Sequence, residues 1–292
     1  MPDIPAVIEE ILSPRRLQAF LRRNGLQARH GLGQNFLVNR NILEKIARSA
    51  GLEAGEQIVE IGPGLGFLSA FILAAGCKLT SFEKDRALVP FLESAFTAEY
   101  PFQLEIGDVL KSDLDSILGD RPFKLVANLP YNITSPVFGR FLPRKELTQM
   151  VVTVQRQLAE RLVSKEACKA YGAFTLFCQY YAKTELLFHI APGNFHPAPS
   201  VYSSVVRLTR REPRLTGKAE AIFFALVRAV FNSRRKTLRN NLRTHKLPGL
   251  SVEKSLSLLG SSDIDPESRG EKLSVDGFCG LATIFAEGAD ED

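Results

Sequence analysis

The amino-acid sequence predicts an α/β fold, in which an open sheet carries helices on both faces and a small all-helical domain follows. Apolar runs of strand length alternate with helical apolar patterns between residues 57 and 154. A glycine-rich segment, residues 62–66, joins the first of these runs to a helical pattern. From about Thr216 the apolar pattern is helical. We therefore predict two domains, residues 1–211 and residues 212–292.

Length and composition suit one large and one small globular domain, since 45% of the 292 residues are apolar and 24% are charged. No apolar run approaches the length of a membrane span, and the N-terminus lacks the basic start and apolar core of a signal peptide. We therefore expect a cytoplasmic protein with no membrane partner. The four cysteines are widely spaced, which predicts reduced, mostly buried thiols and no metal site.

Positive charge is concentrated in two segments of the chain. Residues 207–246 contain twelve Lys or Arg and two acids, and residues 14–30 contain five Arg and no acid. Because the net charge of the whole chain is +5, the remaining residues carry about −10. Two basic segments on an acidic body favour a surface that binds a polyanion. Two solvated helix faces are the alternative, but the acids that would neutralise such faces are missing.

The first thirty residues predict a short helix with an apolar side and a basic side. Residues 31–37, Gly-Leu-Gly-Gln-Asn-Phe-Leu, then predict a tight loop in which Gln34 and Asn35 can hydrogen-bond a small ligand. Asn39 or Asn41 can cap the helix that follows this loop.

Acidic residues lie at the ends of three predicted strands. The first strand, residues 57–61, contains Glu60, the second ends at Glu83, 23 residues later, and the third is followed by Asp108. In nucleotide-binding sheets an acid at about this spacing takes the ribose hydroxyls. For any single acid, a strand-end carboxylate in water is the plainer interpretation. Three acids at successive strand ends favour a shared ligand site.

Two features argue against a dinucleotide as the ligand. The glycines of residues 62–66 are spaced G-x-G-x-G instead of G-x-G-x-x-G. Glu60 lies where it would repel a pyrophosphate, and it suits a cationic ligand instead. S-Adenosylmethionine fits this pattern, because it offers an ammonium group, a sulfonium, a ribose for Glu83 and an adenine for Asp108.

A fourth predicted strand, residues 123–127, ends at Asn128-Leu129-Pro130-Tyr131, at the same edge of the sheet. This turn suits the alkylation of an amine that is conjugated to a flat ring. The Asn128 side-chain oxygen and the Leu129 carbonyl can hold the amine hydrogens, and Pro130 restricts the direction of that carbonyl. Tyr131 offers a face on which a base can stack. An ordinary strand-to-loop turn with a half-buried Tyr131 is the alternative.

The sheet is predicted to continue with a fifth strand, residues 149–154, and to end with a strand pair, residues 183–190 and residues 201–210. Three prolines stiffen the loop that joins this pair. Phe195 in this loop is a candidate for the second wall of a base pocket, and plain loop packing is its alternative.

The C-terminal part of the chain predicts a small helical domain with a cationic rim. Its basic stretch, residues 231–243, is interleaved with leucines at helical spacing. Arg235, Arg239 and Arg243 are predicted to be successive i,i+4 neighbours on one helix face, where they could follow a phosphate backbone. The candidate polyanion-binding residues are Arg234, Arg235, Lys236, Arg239 and Arg243.

Taken together, these motifs resemble the ribosomal RNA adenine N6-dimethyltransferase family, and within it the branch that acts on small-subunit (16S) RNA. The resemblance extends over residues 31–278, and its most specific parts are residues 33–37, 60–66, 128–131, 195–201 and 231–242. It implies a Rossmann-like S-adenosylmethionine methyltransferase sheet and an RNA-binding helical domain. It also implies methyl transfer from S-adenosylmethionine to N6 of two adjacent adenines near the 3′ end of the 16S rRNA.

The resemblance also implies roles for individual positions. In the family, the cofactor is held by positions that match Gln34, Asn35, Gly62, Gly64, Glu83 and Asp108 of this sequence. The family's turn that holds the target base matches residues 128–131. With Leu37, Glu60 and Asn128 added, these residues make up the predicted cofactor site. The predicted catalytic residues are Asn128, Leu129, Pro130, Tyr131 and Phe195. The expected partner is 16S rRNA within a pre-30S particle, and we expect the protein to be a monomer.

Three alternatives stay open at the level of the sequence. The branch that methylates large-subunit RNA and confers macrolide resistance shares the catalytic motifs, although residues 234–242 resemble the small-subunit branch more closely. A protein-glutamine methyltransferase uses a similar Asn-Pro-Pro-Tyr turn, but Leu129 and the basic C-terminal domain count against it. An assembly factor that does not need catalysis would keep the basic surface but could lose Asn128 or Glu83. Both residues are present in this sequence.

Overall fold

The computed structural model describes residues 4–289, so the first three residues of the predicted sheet domain and the last three of the predicted helical domain lie outside it. The chain forms two compact units. The sheet unit comprises the residues up to Ala159 together with Lys183–Arg210, and the helical unit comprises Glu160–Ala182 together with the residues from Arg211 onward. The predicted boundary lies within one residue of this division. Residues 160–182, which the sequence predicts in the first domain, belong to the helical unit instead.

Within residues 4–289 there are nine strands, β1 (Phe36–Leu37), β2 (Gln57–Ile61), β3 (Lys78–Glu83), β4 (Phe102–Ile106), β5 (Phe123–Asn128), β6 (Leu147–Gln155), β7 (Ala182–Ile190), β8 (Phe195–His196) and β9 (Ser203–Arg210). Seven of them form one sheet in the order β4-β3-β2-β5-β6-β9-β7, and β1 pairs with β8. The strands from β4 to β6 are parallel, and β9 is antiparallel to β6. The predicted open α/β sheet and its closing strand pair are confirmed.

The strand order places a topological switch point between β2 and β5. From β2 the chain proceeds outward through β3 to β4, and it then returns to the other side of β2 to form β5 and β6. Open α/β sheets bind their ligands in the crevice outside the carboxyl ends of strands at such a point. The glycine-rich loop follows β2 and the Asn-Leu-Pro-Tyr turn follows β5, so this topology brings the two motifs together.

The helices of the described range are α1 (Ala6–Ile11), α2 (Pro14–Arg23), α3 (Arg40–Ser49), α4 (Phe67–Ala74), α5 (Val89–Ala95), α6 (Leu114–Leu118), α7 (Thr134–Phe141), α8 (Arg156–Leu162), α9 (Ala173–Tyr181), α10 (Gly217–Asn232), α11 (Leu238–Leu242), α12 (Val252–Ser261) and α13 (Val275–Gly288). The N-terminal segment forms two helices instead of the single one predicted, because Ser13 caps α2 and Pro14 begins it. Of the two predicted caps for α3, Asn39 and Asn41, the structure shows Asn39.

The helical unit has an aromatic core, to which residues 160–182 contribute. Tyr171, Tyr180, Phe223 and Phe278 are each at most 1% exposed and belong to one cluster. The Tyr171 hydroxyl donates a hydrogen bond to the Leu273 carbonyl over 2.8 Å. Burial of these tyrosines against α10 and α13 explains why the segment packs with the C-terminal helices.

The basic stretch is not one continuous helix, so the predicted i,i+4 row is wrong at Arg235. Arg239 and Arg243 remain i,i+4 neighbours at α11, where the Arg243 N–H donates to the Arg239 carbonyl over 3.0 Å. Helix α10 ends at Asn232, and α11 begins at Leu238 after a turn, residues 233–237. The buried Asn241 amide donates to the carbonyls of Val230, Ser233 and Lys236, and Thr237 caps α11. These side-chain bonds satisfy backbone groups in the turn, so the chain breaks the helix despite its helical pattern.

All four cysteines are free thiols and three of them are buried, in agreement with the prediction. Within residues 4–289, no helix combines the length and apolar character that a membrane crossing requires. Over the same range, no cluster of three or more His, Cys, Asp or Glu side chains could hold a metal ion.

Candidate active site

A cavity opens at the carboxyl ends of β2, β3, β4 and β5. It encloses about 1060 Å³ of empty space, a volume that includes its open mouth. The turn of residues 128–131 lines it. All nine residues of the predicted cofactor site line it as well, namely Gln34, Asn35, Leu37, Glu60, Gly62, Gly64, Glu83, Asp108 and Asn128.

The glycine-rich loop approaches its neighbours too closely for side chains. Gly62 and Gly64 have φ values of +68° and +62°, a region that L side chains rarely adopt. A Cβ atom on Gly64 would lie 2.8 Å from the Phe36 ring, and one on Gly62 would lie 3.3 Å from Pro130. The loop backbone therefore lies directly beside both the β1 segment and the Asn-Leu-Pro-Tyr turn.

Two of the three strand-end acids are buried and hydrogen-bonded, so the interpretation as carboxylates in water does not hold for them. Glu83 is 4% exposed and accepts hydrogen bonds from the Gly64 N–H (3.0 Å) and the Asp85 N–H (2.7 Å). Burial raises the pKa of Glu83, and the two backbone donors oppose that rise. The Glu83 carboxylate thereby fixes the glycine loop at the cavity wall.

Glu60 is the most buried of the three acids, with 1% of its surface exposed. Its Oε2 accepts hydrogen bonds from the hydroxyls of Ser69 (2.5 Å) and Ser81 (3.1 Å). Burial raises the pKa of Glu60 to about 7, although the two serine hydrogen bonds lower it. A cationic ligand in the cavity would favour the ionised form of this carboxyl.

Asp108 differs from the two glutamates because it lies at the exposed side of the cavity. It accepts a hydrogen bond from Lys84 Nζ over 3.0 Å and another from the Leu110 N–H over 3.0 Å. The hydrogen bond from Lys84 is the main reason that the pKa of Asp108 is lowered. Asp108 is therefore a fixed carboxylate acceptor at the cavity rim.

The Gln34 side chain binds other residues of the protein with both ends of its amide. Its Oε1 accepts from the Arg29 N–H over 2.7 Å, and its Nε2 donates to Asp85 over 2.9 Å. Asp85 is 1% exposed and also pairs with the Arg29 guanidinium at 3.3 Å. These contacts hold residues 31–37 in place, so Gln34 shapes the cavity in this conformation.

Asn128 is oriented by a backbone contact from the opposite wall. Its Nδ2 donates to the Asn35 carbonyl over 3.0 Å. No residue within 4–289 donates to Asn128 Oδ1 or to the Leu129 carbonyl, whereas the Leu129 N–H donates to Thr153. The turn therefore presents two adjacent oxygen acceptors to the cavity.

Tyr131 is fixed at its hydroxyl end. The Tyr131 hydroxyl and the Ser203 hydroxyl lie 2.6 Å apart, and Ser203 is fully buried at the start of β9. Burial raises the pKa of Tyr131, so the phenol stays protonated at neutral pH. The ring is half-buried, which leaves part of it available to a ligand.

Comparison with known proteins assigns this arrangement to a family. A sequence model described as ribosomal RNA adenine dimethylase matches residues 25–287. The chain belongs to that family. Ribosomal RNA small subunit methyltransferase A of Pelotomaculum thermopropionicum is 38% identical over 289 residues, which is 95% of this chain and 98% of the relative. The protein of the same name from Clostridium botulinum strain Loch Maree is 39% identical over 250 residues, or 85% of this chain and 90% of the relative.

Two solved structures share the fold. A dimethyladenosine transferase from Plasmodium falciparum aligns with a TM-score of 0.73 at 24% identity, over 87% of this chain and 98% of that one. The 23S rRNA methyltransferase ErmE aligns with a TM-score of 0.66 at 23% identity, over 86% and 99% of the two chains. The Rossmann-like methyltransferase sheet and the family that the sequence predicts are thus both confirmed.

Phe195 is the one predicted catalytic residue that does not line the cavity. It is 3% exposed, belongs to the hydrophobic core and lies in β8 opposite Leu37 of β1. This position fits the packing alternative. The β1–β8 pair carries Phe36, whose ring contacts the glycine loop, so Phe195 supports the cavity from behind.

The five candidate RNA-contacting cations lie in and after the turn that interrupts the basic stretch. Arg234 pairs with Glu271 at 3.0 Å, and Arg239 pairs with Glu267 at 2.8 Å. Arg235, Lys236 and Arg243 are exposed and make no ion pair within residues 4–289. The chain itself therefore neutralises two of the five charges.

Sequence reasoning misses several residues that build the site. Asp85 holds Gln34, Ser69 and Ser81 hold Glu60, and Ser203 holds Tyr131. The sequence could have indicated Asp85, because it follows Glu83 by two residues at the same strand end. Ser203 has none, since its partner lies 72 residues away and the contact depends on strand pairing.

Proposed function

We propose that the protein transfers methyl groups from S-adenosylmethionine to N6 of two adjacent adenines near the 3′ end of 16S rRNA. The product would be N6,N6-dimethyladenosine in a pre-30S particle, formed in the cytoplasm during small-subunit biogenesis. The names of relatives that match nearly the whole chain support the small-subunit RNA as substrate. The observation that carries the proposal is the pair of acceptors, Asn128 Oδ1 and the Leu129 carbonyl, at the wall of the cavity.

The donor set around the cavity fits S-adenosylmethionine. Glu83 would take the ribose hydroxyls and Asp108 the adenine amine, while the carboxyl of Glu60 suits the positive charge of the ligand. Side chains at Gly62 and Gly64 would fill the space beside the loop. When bound, S-adenosylmethionine supplies an activated methyl group on its sulfonium.

The Asn-Leu-Pro-Tyr turn would prepare the adenine amine for alkylation. Asn128 Oδ1 and the Leu129 carbonyl would accept the two amine hydrogens and turn the nitrogen lone pair away from the ring plane. Tyr131 would stack on the flipped base, with its own ring held by Ser203. Positioning of this kind supplies most of the rate. No strong base is needed, because the N-methylated ammonium product loses its proton readily.

We further propose that residues 212–292 bind RNA through the turn of residues 233–237 and the cations beside it. Arg235, Lys236 and Arg243 are the exposed candidates without an acidic partner among the described residues. Phosphate contacts of this kind position a protein on RNA without reading its sequence. We also propose that the enzyme acts as a monomer.

The experiment that tests the proposal uses labelled S-adenosylmethionine and small ribosomal subunits that lack the modification. We expect label in two adjacent adenines near the 3′ end of the RNA, and dimethyladenosine after nuclease digestion. In a parallel reaction with unmodified large ribosomal subunits, label in large-subunit RNA would favour the macrolide-resistance type of enzyme. Label in protein would favour a glutamine methyltransferase, and binding without label would favour an assembly factor.

A further inference from the structure

We propose that Asp85 is a positioning residue for methyl transfer, and that it acts on Asn128 through the loop of residues 29–37. The proposal rests on the proposed function, because Asn128 is the residue that would hold the adenine amine. It assigns a role to a buried carboxylate that neither the cofactor site nor the base site uses. It also assigns Gln34 a role inside the protein instead of a contact with the cofactor.

Asp85 is almost fully buried, with 1% of its surface exposed, although it is not one of the residues that line the cavity. Its Oδ2 accepts a hydrogen bond from Gln34 Nε2 over 2.9 Å. Its Oδ1 pairs with the Arg29 guanidinium at 3.3 Å and accepts from the Ala87 N–H over 3.2 Å. A buried carboxylate is costly unless it is paired and hydrogen-bonded, so these contacts restrict where the loop can lie.

Gln34 connects the buried carboxylate with the backbone of the loop. While its Nε2 donates to Asp85, its Oε1 accepts from the Arg29 N–H over 2.7 Å. Arg29 is therefore held at two points, by its backbone through Gln34 and by its guanidinium through Asp85. These three residues form a closed ring of contacts that fixes the first half of the loop.

The neighbours of Gln34 in the loop contact the Asn-Leu-Pro-Tyr turn. The Asn35 carbonyl accepts a hydrogen bond from Asn128 Nδ2 over 3.0 Å. On the other side, a Cβ atom on Gly33 would lie 3.5 Å from the Pro130 side chain. The loop therefore touches the turn through the residue before Gln34 and through the residue after it.

Displacement of the Asn35 carbonyl would free the Asn128 amide to rotate. Only the oxygen end of that amide can accept a hydrogen from the adenine amine. By holding Gln34, Asp85 supports the reactive orientation of Asn128 from outside the cavity. The Asp85 N–H also donates to Glu83 Oε1 over 2.7 Å. One residue thus contacts both the acid proposed for the cofactor ribose and the loop that orients the base-holding side chain.

The first measurement is single-turnover methylation of unmodified small subunits at saturating S-adenosylmethionine. Asp85→Ala should lower the rate by about 10-fold, which is less than the ~100-fold effect of a 1 Å misplacement at the reacting group. Affinity for S-adenosylmethionine should stay within about 2-fold of wild type, because Glu83 keeps its hydrogen bond from the Gly64 N–H. An affinity loss as large as the rate loss would overturn the proposal.

Glu56→Ala is the matched control for the loss of a paired carboxylate. Glu56 pairs with Lys124 at 2.9 Å and lies just before β2, outside the set of residues that line the cavity. This variant should methylate at the wild-type rate. An equal rate loss in Glu56→Ala and Asp85→Ala would mean that any weakened ion pair has the same effect, and it would overturn the proposal.

A double-mutant cycle tests whether Asp85 acts through Asn128. If it does, adding Asp85→Ala to the Asn128→Ala protein should slow methylation by less than about 2-fold further, since the side chain that Asp85 orients is already absent. The same fold loss in both backgrounds would show that the two residues act independently, which contradicts the proposal.

Gln34→Leu tests the same path without leaving the buried carboxylate alone, because Arg29 still pairs with Asp85. It should reproduce the rate loss of Asp85→Ala, and the two changes together should cost no more than either one. If Asp85→Ala does not fold, Gln34→Leu decides the question. A Gln34→Leu protein with the wild-type rate, or one that loses cofactor affinity as strongly as rate, would overturn the proposal.

Hydrogen exchange gives a second readout that does not depend on activity. In Asp85→Ala, the amides of residues 128–133 should exchange faster than in wild type or in Glu56→Ala. Within residues 4–289, the Asp85 side chain makes no hydrogen bond to residues 128–133, so faster exchange there would have to pass through the loop. Unchanged exchange in this segment would contradict the proposal.

The two proposals fail in different ways. Normal methylation by the wild-type protein together with a full-rate Asp85→Ala variant contradicts the positioning role and leaves the proposed function intact. A wild-type protein that methylates no RNA contradicts the proposed function, and the exchange comparison still decides whether Asp85 holds the turn.

Discussion

The side-chain amide of Asn128 donates to the backbone carbonyl of Asn35 over 3.0 Å, and this bond joins the turn after β5 to the loop before β1. An amide has one donor end and one acceptor end. Because the Asn35 carbonyl takes the donor end, Oδ1 is the end that remains for a substrate amine. The loop of residues 31–37 thus sets the orientation of the side chain that would hold the adenine under the proposed function.

Replacing Asn128 by Ala should cut methyl transfer by about 100-fold or more, since a misplaced reacting group has an effect of that order. Cofactor affinity should change little, because the acceptor matters only once the amine is in place. Single-turnover kinetics and calorimetry separate the two effects. Asn132→Ala is the matched control, since Asn132 also lines the cavity. Near-normal turnover in Asn128→Ala would remove the role proposed for the whole turn.

Glu83→Ala should weaken S-adenosylmethionine binding by about 1.5–3 kcal/mol, the range for hydrogen bonds to a charged group. The Glu83 carboxylate would bind the ribose, and it also fixes the Gly64 N–H and the Asp85 N–H. Calorimetry on the folded variant measures the change. Glu99→Ala, at an exposed acid, serves as control and should bind as wild type. Unchanged affinity in Glu83→Ala would exclude Glu83 from the cofactor site.

Glu60 should make the protein less stable as pH rises towards neutrality. Its pKa is raised from 4.5 to about 7 in the folded state. Between these two values the folded protein retains a proton that the unfolded chain has lost, so the free energy of unfolding falls with rising pH. At ~1.4 kcal/mol per pKa unit, the total is about 3 kcal/mol.

Urea denaturation of wild type and Glu60→Gln at about pH 5 and about pH 8 tests this sign. Gln keeps an oxygen that can accept from Ser69 and Ser81 but does not titrate. The unfolding free energy of the variant minus that of wild type should therefore be about 3 kcal/mol larger at about pH 8 than at about pH 5. Parallel pH profiles would mean that Glu60 titrates near its ordinary pKa.

The sheet and its site are predictable because they follow from local signals. Apolar runs define the strands, and parallel strands bring the glycine loop, the acids and the Asn128 turn to one edge whatever their separation in sequence. The features that the sequence predicts wrongly depend on contacts between residues that are distant in the chain. Asn241 breaks the basic helix through its side chain, Tyr171 and Tyr180 draw residues 160–182 into the helical unit, and the pairing of β8 with β1 buries Phe195.

Asn241 should be essential for the turn that carries the cations. Its amide is fully buried and donates to three backbone carbonyls, of Val230, Ser233 and Lys236. Asn241→Leu would leave these acceptors without a donor and should lower the free energy of unfolding by about 2–4 kcal/mol. Thermal and urea denaturation measure this. Asn240→Ala, at the exposed neighbour, should change stability by less than about 0.5 kcal/mol, and equal losses in the two variants would contradict the assignment.

Variants of the cationic turn should allow RNA docking to be tested separately from catalysis. Arg235 and Lys236 are exposed without an ion-pair partner among the described residues, while Arg234 and Arg239 are paired with Glu271 and Glu267. Replacing Arg235 and Lys236 with Gln should therefore weaken RNA binding more than replacing Arg234 and Arg239. Each lost phosphate contact should flatten the salt dependence by about 0.7–0.9 log units of slope.

Binding to small subunits over a range of salt concentrations measures this difference between the two pairs. Cofactor affinity should not change in either variant, because every residue that lines the cavity belongs to the sheet unit. If the Arg235→Gln, Lys236→Gln protein binds and methylates small subunits as before at physiological salt, the turn is only a solvated surface. The docking site would then have to lie elsewhere, and the exposed arginines of α2, Arg15, Arg16, Arg22 and Arg23, carry the next concentration of unneutralised charge in the sequence.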